Sequence, residues 1–142
     1  MTGLMLVELN EINFDLVRDY SEEGAVLPVL TQLMLQGEST SLSEDAYEQL
    51  EPWIQWPSVH LGKTYDEHQL FRLGDAVNYQ GEQFFEEIER RGYSVGNFSA
   101  MNAANRMEKP AFFIPDPWTD TPADSSFVSR ALAQAVSQTV ND

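Results

Sequence analysis

An α/β fold with a mainly parallel sheet flanked by helices is what the sequence predicts, on three observations. Short apolar or alternating runs of strand length alternate with longer runs at helical spacing. The chain is 42% hydrophobic over 142 residues, enough for one domain, 1–142, with a real core. It shows no internal repeat and no low-complexity linker.

Leu4–Leu9 (LMLVEL) reads as a first, buried strand, because a strand covered on both faces is almost continuously apolar. Residues 10–13 break the pattern, and Asn13 is placed to cap a short helix over Phe14–Tyr20. In Val26–Gln36, Leu27, Leu30, Leu33 and Met34 recur at helical spacing. Pro28 suits the first turn there, and Gly37 the stop. Glu38–Ser43 (ESTSLS) is a second strand candidate. Asn78–Arg91 carries the clearest helix, with Phe84, Phe85 and Ile88 as its apolar stripe, a Glu86–Arg90 pair and Gly92 at its end. Tyr93–Ser99 alternates and reads as the next strand. Ala100–Trp118 reads as a packed lid around Phe112, Phe113 and Trp118, and Ser125–Val140 as a last helix. Right-handed crossovers would place helices on both sheet faces.

Glu44–Asn78 fits neither period. It reads as a long irregular run of the kind that usually carries function. Its centre, LEPWIQWPSVHLGKTYDEHQL, gathers Trp53, Trp56, Ser58, His60, Lys63 and His68.

Charge and composition exclude several classes. The net charge is −15, from 23 acids against 8 bases, which repels phosphate and argues against nucleic acid and anionic lipid. No apolar run has membrane-spanning length. With no cysteine, thiolate metal sites, disulfides and a thiol nucleophile drop out. The start lacks the basic region of a signal peptide, so a cytoplasmic location is expected.

In open α/β sheets ligands bind beyond the carboxyl ends of the strands. Glu8, Asn10 and Glu11 stand at the carboxyl end of the first strand candidate; they are either oxygen ligands for a cation or a strand-end turn with a helix cap. Asn102 follows the third strand and could line the same pocket. His60 and His68 are the only histidines and lack the i,i+4 spacing of a helical metal pair. Ser58 has no nucleophile-elbow glycines around it. Gly62-Lys63-Thr64 resembles the end of a phosphate loop, but Pro57 stands where the first glycine belongs.

Taken in order, these motifs resemble the N-terminal portion of the alkaline phosphatase superfamily, in its type I phosphodiesterase and sulfatase-like branch. The resemblance runs over about residues 4–122. LNEINFDL (Leu9–Leu16) is similar to the family's L-D-G-x-x-x-D. PWIQWPSVHLGKTYDEHQ (Pro52–Gln69) is similar to T-W-P-A-W-x-S-x-x-T-G-K-x-P-x-x-H-G, and FFEEIERRGYSVGNFSAMNA to the later helix–Gly–strand unit. It implies a partial alkaline-phosphatase-like fold and metal-assisted displacement at phosphorus or sulfur, with zinc or manganese as cofactor and a small phosphate or sulfate ester as substrate. On that reading Glu8, Asn10 and Glu11 hold metal. Glu51, Ser58 and His60 stand nearest the chemistry, and Gln55, Lys63, His68 and Asn102 bind substrate.

The departures are specific. Asn10 replaces the metal-binding Asp, Pro52 occupies the nucleophile position, and Leu61 and Gln69 replace the family's Thr and Gly. The family's remaining Asp and His ligands lie beyond this length. The expectation is therefore a fragment or divergent member with little activity alone. The alternative is a non-catalytic binding or self-associating protein, a homo-oligomer among its forms, that kept the fold and lost the site.

Overall fold

A computed structural model describes residues 3–24 and 27–141. The chain divides into two compact units, Met1–Leu42 and Ser43–Asp142.

In the first unit, α1 spans Phe14–Glu22 and α2 spans Pro28–Met34. Asn13 caps α1 as expected: its side-chain oxygen accepts from the backbone N–H of Asp15 at 2.8 Å and of Leu16 at 3.2 Å. Pro28 opens α2 at its first turn. Val26, at the start of the expected helix, lies outside the described residues. Arg18 pairs with Asp15 and forks onto Glu38, at 3.0 and 2.7 Å from its two oxygens. This pair lies at the surface, where such contacts stabilise little. Val17 alone is buried among the described residues of this unit.

Leu4–Leu9 is the first correction. The segment forms no strand; Leu4 is 95% exposed and Met5 84%. An apolar run becomes a strand only when a neighbouring strand pairs with it, and among the described residues Leu4–Leu9 joins no ladder. Glu38–Ser43 likewise forms no strand, and its Leu42 is almost fully exposed.

The second unit carries the core. In chain order it holds a 3-10 turn (Tyr47–Gln49), α3 (Pro52–Leu61), α4 (Tyr65–His68), a second 3-10 turn (Asp75–Val77), α5 (Phe84–Arg90), β1 (Gly96–Phe98), β2 (Phe112–Ile114) and α6 (Phe127–Asn141). β1 and β2 pair in parallel, with Gly96 opposite Phe112, Asn97 opposite Phe113 and Phe98 opposite Ile114. The architecture is thus helical with a small two-stranded parallel sheet, α/β in the coarse sense. Phe113 and Asn97 point inward, and Phe113 joins Phe85, Ala103 and Met107 in the core.

Three further expectations change. The stretch read as irregular contains α3, in which Pro52 takes the first turn and Pro57 sits inside the helix. The stretch read as a lid contains β2, formed by two of the aromatics assigned to that lid. Glu86 also does not pair with Arg90. It holds Arg106 at 3.0 Å, while Arg90 binds Glu82 at 3.1 Å and Glu87 at 3.0 Å.

Candidate functional site

An interior proline leaves one helical carbonyl without its N–H partner, four residues back. For Pro57 that carbonyl belongs to Trp53, and the side-chain amide of Asn102 donates to it at 2.8 Å. The same nitrogen donates to the Arg72 carbonyl at 3.1 Å. Its oxygen accepts from the backbone N–H of Gly74 at 2.9 Å and of Ala76 at 3.3 Å. Asn102 has no exposed surface and sits at φ +53°, a region that Asn tolerates better than most residues. Its backbone N–H donates to buried Asp116 at 2.9 Å. The amide is therefore saturated by α3, by the 72–76 segment and by nothing else. Expected as a substrate contact, it lies in the interior as the tie between three segments, with no capacity left for a ligand.

Ser58 and His68 are brought together. Ser58 Oγ lies 2.9 Å from His68 Nε2, and the backbone N–H of Leu70 donates to His68 Nδ1 at 2.9 Å. Those two contacts decide the tautomer. Nδ1 receives a proton donor, so it carries the lone pair, and the ring proton sits on Nε2. His68 then donates to Ser58 Oγ, and Ser58 passes its own proton to the Ile54 carbonyl at 3.3 Å. A general base needs the reverse direction, with an unprotonated nitrogen facing the hydroxyl. His68 is 3% exposed, with the Tyr65 ring edge-on at 5.7 Å between centroids. Burial pushes its pKa below the usual histidine value, against the opposing pull of Glu44 and Glu67.

His60 lies apart from that pair. It is buried among the rings of Trp56, Phe84 and Phe85, with centroids 6.3, 5.9 and 5.5 Å away. Glu51 is exposed at the N-terminal boundary of α3, and its carbonyl accepts from Ile54 and Gln55. The helical rise puts it about 10 Å along the axis from Ser58. Gln55 donates to the Gln49 carbonyl at 2.6 Å. Lys63 is exposed just past Gly62, which ends α3 at φ +61°. Glu8, Asn10 and Glu11 belong to the first unit, at the end of the extended segment and in its turn, with Glu11 at φ +60°. Among the described residues, no group of three or more His, Asp or Glu side chains could hold a metal ion.

A second polar node escaped the sequence reading. Gln83, 2% exposed, clamps Ala104 with both ends of its amide: the nitrogen donates to the carbonyl at 2.9 Å and the oxygen accepts the N–H at 3.0 Å. Arg106 holds Glu86 and the carbonyls of Tyr79 and Gly81. No local pattern hinted at this: the sequence placed Gln83 inside a helix over Asn78–Arg91, whereas α5 begins at Phe84 and Gln83 caps it.

No family model matches the chain, and no curated protein or solved structure does. Among the described residues, no helix is long and apolar enough to cross a membrane.

Proposed function

We propose that this chain is a non-catalytic binding or self-associating protein built on a scaffold of the metal-dependent phosphoester or sulfate-ester hydrolase type. The observation that supports it is the direction of the Ser58–His68 contact, in which the histidine donates to the hydroxyl it would have to deprotonate. Pro52, where the resembled family has its nucleophile, is the first residue of α3 and supplies no hydroxyl. The scaffold reading draws on two backbone positions. Gly62 and Gln69, where the family pattern has glycines, take φ +61° and +56°. It implies a larger parallel sheet that strands beyond β1 and β2 would complete. The exposed apolar side chains of Leu4–Leu9 are the surface through which association would run. A cytoplasmic location is part of the same proposal.

Two measurements test it. With zinc or manganese added, hydrolysis of p-nitrophenyl phosphate, bis(p-nitrophenyl) phosphate and p-nitrophenyl sulfate should not rise above the metal-only blank. Light scattering should give a mass above the 16.1 kDa of one chain, rising with concentration. Metal-dependent turnover that disappears in Ser58→Ala would overturn the non-catalytic reading. A monomer at high concentration would remove self-association.

The proximity of Ser58 and His68 favours a second reading, a hydrolase that works after rearrangement. It requires the ring to give up the Leu70 N–H and move its proton to Nδ1. Turnover abolished in both Ser58→Ala and His68→Gln would support that reading.

A further inference from the structure

The contacts of His68 that stand against base catalysis make a different device, one that does not depend on the proposed function. Both ring nitrogens are committed, one as acceptor and one as donor. A second proton can enter only at Nδ1, where it would face the Leu70 N–H. Two donors cannot share that 2.9 Å contact, so the imidazolium and the present corner are mutually exclusive.

The corner matters beyond Leu70. The residues that follow carry the Phe71 carbonyl, which accepts from the Trp53 indole at 3.2 Å, and the Arg72 carbonyl held by Asn102. Leu70 itself is 6% exposed. We propose that His68 is an acid-operated latch: protonating its ring releases the 69–72 segment from α3 and uncovers Leu70 and its apolar surroundings. The groups bearing on the ring come from each neighbouring segment. Glu44 lies ahead of α3 in sequence and accepts the Tyr65 N–H at 2.6 Å; Glu67 and the Tyr65 ring belong to α4; Lys63 follows α3, which itself contributes the neutral Ser58. The two carboxylates favour the cation, whereas Lys63 and burial oppose it, and burial is the largest influence.

The folded ring binds its proton less readily than the unfolded one. The stabilisation is therefore complete above the ordinary histidine value of 6.5 and is lost as the pH falls from there toward the folded pKa. Between those limits the opening equilibrium should rise about tenfold per pH unit. The experiment is amide exchange at Leu70, corrected for intrinsic exchange and followed from neutral pH downward, with long-range proton–nitrogen correlations of the ring recorded alongside. His68→Asn is the comparison, because its oxygen can still accept the Leu70 N–H while nothing there titrates. The expected result is an Nε2–H tautomer at neutral pH, falling Leu70 protection in the native chain and a flat profile in the variant. An Nδ1–H tautomer, or an equal slope in both proteins, overturns the latch. If His68→Asn does not fold, the native chain decides alone: His68 and the Leu70 amide must titrate with one midpoint, and separate midpoints refute it.

Discussion

Replacing Asn102 by Ala removes four side-chain hydrogen bonds from a position with no exposed surface. Each is worth about 1 kcal/mol net, and the orphaned groups cannot reach water without movement. Their sum is about 4 kcal/mol, and alanine at φ +53° adds to it. Against a total stability of roughly 5–15 kcal/mol, that is a large fraction. Urea denaturation followed by circular dichroism reads it as a lowered midpoint at constant slope. The sharper test is a double-mutant cycle with Pro57→Ala. That substitution trims a buried ring but restores the N–H that the Trp53 carbonyl lacks. In its background Asn102→Ala should cost about 1 kcal/mol less, because one of the four partners has regained a helical bond. Equal costs in the two backgrounds would refute the assignment of Asn102 as the partner of the carbonyl freed by the proline.

Two other substitutions probe the sheet. Asp124 accepts from the Phe113 N–H and the Ser126 N–H, each at 2.7 Å, and so joins β2 to the start of α6. Hydrogen bonds from the Ser129 hydroxyl and then from these amides hold its carboxyl well below the usual range. Its contribution is therefore present above the ordinary value of 3.8 and disappears as the pH falls through the folded value. Asp124→Ala should cost about 1 kcal/mol in denaturant at neutral pH, with the difference from the native chain shrinking in acid. At Gly96, an added methyl would meet the ring of Phe112, which is half exposed and can swing outward. Gly96→Ala should therefore change stability by less than about 1 kcal/mol in a thermal melt, and a larger loss would mean that the ring is fixed.

Locally encoded features were legible. Asn13 caps α1, Pro28 opens α2, Phe84 and Phe85 lie on α5, and α6 falls where apolar spacing placed it, because each depends on residues within a turn or two. What failed depended on distant partners. Leu4–Leu9 has the composition of a strand, yet a strand is a property of a pair. Pro57 argues against a helix over α3 until Asn102, far along the chain, is seen to answer it. Glu86 and Arg90 have ideal spacing, yet each finds a better-placed partner outside it in Arg106 and Glu82. The candidate site divided in the same way. The sequence brought Ser58 and His68 into one stretch, but the direction of their hydrogen bond was set by the Leu70 N–H, which no residue-type pattern encodes.

The tie between Trp53 and Asn102 spans 49 residues and also sets an order of events during synthesis. At 5–20 residues per second, the ribosome delivers Asn102 roughly 2–10 s after Trp53. Through that interval α3 must wait with the carbonyl opposite its proline open to water. The nascent second unit cannot close its interior until the chain has passed β1.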